Sequence, residues 1–193
     1  EKNAVWSPDG KWIAFVSDAT GEEELQLVPA DGKGAPVALT SGSSSWHFPP
    51  VWSPDSKRLA YADRAMHLWV VDVATKEKTL VDTAKVWEIS EYAFAPDSRW
   101  LAYRKRVDTD FGAIFLWDAG TKSSTQVTSS AVESAEPVFD PDGKYLYFLT
   151  NRTYQTVAER IHAGAALDVV APGDPGDHRQ VEAVAGLRPL EHV

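Results

Sequence analysis

Four aspartates recur at the same place in a repeated phrase and are the first candidates for chemistry. Each follows a proline in a phrase of the form aromatic-x-Pro-Asp-Gly/Ser, at Asp9, Asp55, Asp97 and Asp142. Repeated carboxylates could form a ring that binds cations, although calcium needs several oxygen ligands from one loop. An aspartate beside proline also caps a tight turn by accepting backbone N–H groups. The sequence favours this structural turn role and predicts no metal site.

The cluster of positive charge in the chain is the run Arg104, Lys105 and Arg106, followed by Asp108 and Asp110. We expect it in the connection after the second strand of the third repeat, on one rim of the fold. Basic side chains there could anchor a peptide carboxylate or contact a protein partner. The alternative is a solvated loop whose charge is balanced by its own aspartates.

Residues typical of hydrolytic or metal chemistry do not form a recognisable pattern. No Gly-x-Ser-x-Gly phrase occurs, and the serine-rich run at 41–45 lacks the strand-to-helix setting of a nucleophile, which predicts a flexible connector. Cysteine is absent, so thiol chemistry is excluded. The histidines show no metal-ligand spacing; they are His47, His67, His162, His178 and His192. We therefore expect no catalytic residue, cofactor or metal in this segment.

The elements that position these side chains follow from the repeat. Its prolines stand at 8, 54, 96 and 141, in steps of 46, 42 and 45 residues. Each repeat divides into short apolar strands separated by turn residues, and such a period is typical of β-propeller blades. The predicted fold class is all-β, with about four blades of four antiparallel strands. The blades are expected at 3–41, 47–83, 88–129 and 135–185, followed by a tail at 186–193.

Aromatic side chains are expected to fill the spaces between blades. The aromatic residues that open the repeated phrase are predicted to pack there; they are Trp6, Trp52, Phe94 and Phe139. The segment 46–50 is expected to enter the second blade and pack in the same way, with an exposed aromatic contact as the alternative.

The fourth repeat departs from the pattern after Tyr154. Its third strand is predicted near 165–171 and its fourth near 179–184. The residues Leu190, Glu191 and His192 resemble vector-derived sequence.

The phrase aromatic-Ser-Pro-Asp-Gly-Lys-x-Ile/Leu-Ala-Phe/Tyr, present at 6–15, 52–61, 94–103 and 139–148, resembles the PD40 or TolB-like class of propeller repeats. The run at 139–154 is similar to a late blade of the tricorn-type serine proteases. That resemblance implies a non-catalytic propeller segment that gates or scaffolds peptide substrates, with the catalytic domain elsewhere in the parent chain. Two alternatives stay open: a TolB-like interaction module of the bacterial envelope, and the lid propeller of a prolyl-oligopeptidase-type hydrolase.

The composition of the chain limits the classes of partner that it is expected to bind. The formal net charge of −9 argues against nucleic acid and anionic membrane surfaces, and no apolar run reaches the roughly 20 residues of a membrane span. Peptides or a protein partner remain the expected ligands, in the cytoplasm or alternatively the periplasm. A four-bladed partial ring would leave two apolar blade faces open, so a homodimer through those faces is also expected.

Overall fold

The computed structural model describes residues 1–19 and 21–151, together with the backbone of 180–185. All the elements in these residues are β-strands. In chain order they are β1 (Lys2–Trp6), β2 (Trp12–Ser17), β3 (Glu24–Pro29), β4 (Val37–Ala38), β5 (Val51–Trp52), β6 (Arg58–Ala62), β7 (His67–Asp72), β8 (Lys78–Thr83), β9 (Tyr92–Phe94), β10 (Trp100–Arg106), β11 (Gly112–Asp118), β12 (Ser123–Gln126), β13 (Ser134–Phe139), β14 (Tyr145–Thr150) and β15 (Gln180–Ala185).

The strands form four antiparallel sheets, one for each repeat. The first three sheets have four strands in sequence order, and the fourth has the order β13-β14-β15. This meander of antiparallel strands is the predicted blade architecture, so the all-β propeller fold is confirmed. No helix in the described residues is long and apolar enough to cross a membrane.

The repeated Pro-Asp phrase builds the turn between the first and second strands of each blade. In the first blade, Gly10 N–H donates to Ser7 O at 2.9 Å and closes a tight turn over Pro8 and Asp9. Gly10 then adopts a left-handed φ of 71°, a conformation that glycine reaches without steric cost. Ser56 and Ser98 adopt the same conformation, at φ 60° and 61°.

These two serines also join neighbouring blades. Ser56 Oγ accepts a hydrogen bond from Asp9 N–H at 3.0 Å, and Ser98 Oγ accepts one from Asp55 N–H at 2.9 Å. The turn of each blade is thereby attached to the turn of the blade before it. Because each serine occupies a conformation that favours glycine, the inter-blade bond offsets the cost of the side chain.

The hydrophobic core consists of layers between blades. Because alternate residues of a strand point to opposite faces, Leu59 and Tyr61 of β6 pack toward the first blade, whereas Ala60 and Ala62 pack toward the third. The aromatic residue of each phrase packs on the preceding blade: Trp52 on the first, Phe94 on the second and Phe139 on the third. Trp6 has no described blade before it, and 62% of it is exposed.

The fourth blade differs from its prediction. The segment expected as its last strand, near 179–184, pairs directly with β14 as β15, so it occupies the position of a third strand. The strand predicted near 165–171 and the tail at 186–193 lie outside the described residues. The prediction assigned strand order from sequence order alone, whereas pairing with β14 decides which segment stands third.

Candidate functional site

The blades present two opposite rims. The first carries the turns between first and second strands, and we call it the turn rim. The second carries the ends of the second strands and the connections between blades, and we call it the connector rim. Because the paired strands are antiparallel, residues at the end of β10 lie beside the start of β11, as Arg106 opposite Gly112 shows.

The repeated aspartates lie on the turn rim, each in its own turn. Asp9 Oδ1 and Asp55 Oδ1 each accept the N–H two residues further on, at 3.1 Å, and Asp97 Oδ1 does so at 2.9 Å. In the fourth turn, Asp140 accepts the N–H of Tyr145 at 2.7 Å. Asp142 instead faces Lys144, with Oδ2 3.4 Å from Nζ.

Hydrogen bonding favours the ionised form of the carboxylate in the first turn. The hydroxyl of Ser7 and the N–H of Lys11 donate to Asp9, and they hold the pKa of its carboxyl below the ordinary value. Within the described part of the chain, no three acidic, histidine or cysteine side chains are grouped so that they could hold a metal ion. The carboxylates of Asp9, Asp55 and Asp97 each accept a backbone N–H of their own turn.

Arg104, the first residue of the basic run, ties two blade connections together. Its guanidinium contacts Glu91 at 3.4 Å, forms an ion pair with Glu133, and donates to the carbonyl oxygen of Ser134 at 3.1 Å. Gly112 lies against it so closely that a Cβ there would overlap Arg104 Nε. The side chain of Arg104 is only 17% exposed, so it is committed to these internal partners.

Lys105 is almost as shielded as Arg104, with 19% of its side chain exposed, whereas Arg106 is 32% exposed. Lys105 Nζ lies 2.5 Å from Asp82 Oδ2 and 4.6 Å from the ring centre of Phe115. Arg106 donates to the carbonyl oxygen of Asp110 at 2.7 Å, and its guanidinium lies 5.8 Å from the ring centre of Trp87. All three basic residues belong to β10, which extends through Arg106. Their predicted placement in the connection after the strand was therefore wrong, because strand pairing with β11 continues to Gly112.

A cleft on the connector rim brings Lys105 and Arg106 together with a residue that the sequence did not indicate. This basic cleft, of about 270 Å³, is also lined by Lys85, so it brings together three cationic side chains. Each has an aspartate partner: Lys85 pairs with Asp108, Lys105 with Asp82 and Arg106 with Asp110. Its remaining wall includes the ring of Phe115 and several polar side chains; these are Thr83, Thr109, Gln126 and Ser130. A site of this composition can bind a carboxylate beside an apolar group.

Trp46 and Trp87 are surface residues of the connections that lead into the second and third blades. Each of them is 60% exposed. The expectation that the whole segment 46–50 packs between blades was wrong for Trp46, although His47 and Pro50 are buried. The cationic side chains of Lys2 and Arg64 instead lie near the indole of Trp46, which stays partly open to solvent. The sequence could have indicated this exposure, because Trp46 and Trp87 both occur in short polar connections.

The serine-rich connector is held in place. Glu24 accepts hydrogen bonds from Thr40 Oγ1 at 2.6 Å and from Ser43 N–H at 2.7 Å. Glu23 accepts one from the N–H of His47 at 2.8 Å. The expected flexible connector is therefore attached by two buried or half-buried carboxylates to the start of β3.

Ser43 and His47 lie close together but do not form a nucleophile and its base. Ser43 Oγ is 3.2 Å from His47 Nε2, and its hydroxyl donates to the carbonyl oxygen of Ser45 at 2.9 Å. Nε2 must then carry the proton, and the buried Nδ1 has no hydrogen-bond partner in the described structure. A catalytic pair needs the opposite tautomer and a carboxylate on Nδ1. Burial also lowers the pKa of His47, which keeps the ring neutral.

The four antiparallel sheets define the class of the protein as a β-propeller segment. The family model of the tricorn protease second beta propeller domain matches residues 1–169. The chain belongs to that family, and the resemblance drawn from the repeated phrase is confirmed.

Relatives and solved structures agree with this assignment. Tricorn protease homolog 1 of Streptomyces coelicolor is 30% identical over 154 residues, which cover 77% of this chain and 14% of that protein. The crystal structure of the tricorn protease matches with a TM-score of 0.68 at 21% identity, over 78% of this chain and 15% of that one. The TolB structure from Acinetobacter baumannii matches with a TM-score of 0.59 at 20% identity, over 77% of this chain and 37% of that one. At these identities, the two structures show the shared fold.

Proposed function

We propose that this chain handles peptides for a larger peptidase, as a segment that gates or scaffolds substrates for a catalytic domain elsewhere in the parent protein. The observation that carries the proposal is the basic cleft, where Lys85, Lys105 and Arg106 come together and two of their aspartate partners, Asp108 and Asp110, are solvent-exposed. The chain spans about a seventh of the length of its Streptomyces relative, which is named as a protease homologue. Peptide hydrolysis is therefore assigned to the parent protein, and we expect the segment itself to bind without cleaving.

The basic cleft suits a peptide carboxylate because its cations differ in how firmly they are held. Lys105 is fixed by Asp82 and by the face of Phe115. Lys85 pairs with Asp108 at 3.3 Å, but both side chains are at least 80% exposed. An exposed pair of this kind contributes little stability, so Lys85 is free to exchange Asp108 for a ligand carboxylate. Phe115 supplies an apolar surface beside the bound charge.

Removing two cleft cations should weaken peptide binding without unfolding the chain. The variant Lys85→Gln/Arg106→Gln removes charges whose present partners are solvent-exposed or local. We expect a fluorescein-labelled peptide with a free C-terminal carboxylate to bind this variant at least about tenfold more weakly than wild type, as measured by fluorescence anisotropy.

The matched control is Lys122→Gln. Lys122 belongs to the turn between β11 and β12, and it pairs with Glu77 at 3.4 Å, also in an exposed position. Its loss should leave peptide affinity unchanged. Equal affinity of the Lys85→Gln/Arg106→Gln variant and wild type, with wild type binding measurable, would remove the basic cleft from the proposal.

A further inference from the structure

The connection at 43–48 is attached to the first blade and to the second. On one side, the two carboxylates at the start of β3 accept N–H groups of the connection. On the other side, Phe48 N–H donates to the carbonyl oxygen of Ala62 at 2.9 Å. Arg64 N–H donates to the carbonyl oxygen of Trp46, also at 2.9 Å. The connection therefore joins the two blades on the connector rim.

His47 is the buried residue at the centre of this connection. Its backbone forms an isolated antiparallel bridge with Asp63, and its ring meets the edge of Tyr61 with the ring centres 5.0 Å apart. Nε2 faces Ser43 Oγ at 3.2 Å, whereas Nδ1 has no hydrogen-bond partner in the described part of the chain. The site therefore suits a neutral imidazole, because a proton on Nδ1 would be a buried donor without an acceptor.

Charged and titratable groups surround His47 on the strands and connections packed against it. They are Lys2 of β1, Glu23 and Glu24 at the start of β3, Tyr61 of β6, Asp63 and Arg64 after β6, His67 of β7, Lys78 of β8 and Glu88 of the next connection. The three carboxylates of Glu23, Glu24 and Asp63 already accept hydrogen bonds from donors other than the ring. Burial outweighs their negative charge, so the pKa of His47 is lowered.

We propose that the connection at 43–48 is a pH-sensitive switch, which stays closed while His47 is neutral and opens when its ring is protonated. A protonated ring carries two N–H donors, but the buried site offers an acceptor for one of them. The charged ring is therefore more stable in water than in its site. This inference goes beyond the proposed function, because it concerns the opening of one connection and involves no ligand.

The switch controls the shape of a second cleft on the connector rim. This cleft, of about 460 Å³, has a wall formed by Trp46, His47, Phe48 and Pro49, and Arg64 also lines it. Most of that wall belongs to the connection itself. Opening of the connection displaces the wall, so the cleft keeps its form only in the closed state.

The direction of the pH effect follows from the two states of His47. In the open connection the ring meets water, and its pKa returns to the ordinary value of 6.5. In the closed connection the ring takes up a proton less readily. Acid therefore favours the open form, and a pH above the ordinary value favours the closed form. From about pH 7.5 to about pH 5.5, the ratio of open to closed molecules should rise at least about fivefold.

Amide hydrogen exchange followed by NMR on the 193-residue chain tests the switch. The N–H groups of Ser43, His47 and Phe48 are hydrogen-bonded only while the connection is closed, so their exchange reports its opening. After correction for the intrinsic pH dependence of exchange, we expect opening to be at least about fivefold more frequent at the lower pH. The N–H of Gly10, in a turn of the opposite rim, should show no such change.

Two histidine variants identify the group that titrates. His47→Gln removes the titrating ring and should abolish the pH dependence of opening. His67→Gln is the matched control, because His67 lies beside Asp63 with 33% of its side chain exposed and can be protonated without any opening. This variant should respond to pH as wild type does.

An equal corrected exchange rate at the two pH values would overturn the switch, and so would the same acceleration in His47→Gln. The wild-type ring gives a second readout if His47→Gln is open at every pH. A His47 ring that becomes charged near its ordinary pKa of 6.5, while the three N–H groups stay protected, would also overturn the switch. None of these outcomes affects the proposed function, since no peptide takes part in the experiment.

Discussion

At the scale of single residues, the basic run shows how three consecutive cations take on different tasks. Arg104 is shielded from solvent between Glu91 and Glu133, Lys105 pairs with Asp82, and Arg106 extends over the surface indole of Trp87. Because side chains alternate along a strand, Arg104 and Arg106 share one face of β10 and Lys105 points to the other. The partners of each side chain, and not this alternation, separate the internal tie made by Arg104 from the cleft lined by Lys105 and Arg106.

Arg104 can be tested separately from its neighbours. Arg104→Met keeps the aliphatic stem but removes the guanidinium, which leaves the carboxylates of Glu91 and Glu133 without their shared cation. We expect the free energy of unfolding to fall by about 2 kcal/mol. Without the guanidinium, the two glutamates remain charged in a shielded position, and no opposite charge offsets the free-energy cost of removing them from water. Urea unfolding followed by tryptophan fluorescence measures this change.

Two further variants show whether a loss of stability in Arg104→Met comes from its internal ion pairs. Arg106→Met should change the unfolding free energy by no more than about 0.5 kcal/mol, because its ion pair with Asp110 is solvent-exposed. Adding Glu133→Gln to Arg104→Met should recover part of the lost stability, since one uncompensated charge disappears. An unfolding midpoint for Arg104→Met equal to that of wild type would contradict the internal role.

The sequence predicted the turn residues well because turn chemistry is local. Proline, aspartate and a following glycine or serine define the hairpin loop without help from distant residues. The exposure of Trp46 and the tie made by Arg104 depend on how one blade meets the next. Periodicity alone does not contain that information, so the position of Lys85 beside Lys105 and Arg106 emerged only from the three-dimensional arrangement.

At the scale of elements, the blade is a unit that buries its faces against its neighbours. Trp52 and Phe94 are at most 8% exposed because each packs on the blade before it, whereas Trp6 is 62% exposed. The same repeat residue is therefore buried or exposed according to whether a preceding blade is present. Within residues 1–19 and 21–151, Trp6 is the residue of the repeated phrase that lies at the surface of the first blade.

We propose that two copies of this chain associate through their open blade faces, and Trp6 provides the test. Sedimentation velocity should show a dimer at tens of micromolar, and Trp6→Glu should convert it to a monomer, because a carboxylate in an apolar interface is costly. Leu80→Glu, a change at another exposed apolar residue on the doubly flanked second blade, is the control. A wild-type monomer that binds no dye for exposed apolar surface would rule out this association.

At the scale of the whole molecule, the two rims differ in the interactions that their side chains make. The turn rim joins blade to blade through Ser56 and Ser98, and its aspartates are occupied by their own turns. The connector rim carries the basic cleft, a second cleft beside Trp46, and the exposed indoles of Trp46 and Trp87. The sequence predicted the repeated blades that create these rims. It did not show which rim offers free side chains, because that depends on the ion pairs formed between strand ends.

The central claim is that the connector rim is the face that binds peptides, and hydrogen–deuterium exchange tests it most directly. Exchange is measured by mass spectrometry on the 193-residue chain, with and without a saturating peptide that has a free C-terminal carboxylate. We predict slower exchange on the connector rim at 46–49, 64–66, 85–88 and 105–110, with no change in the turns at 8–11, 54–57 and 96–99. Slowing confined to those turns, or no change on either rim although the peptide is bound, would contradict the claim.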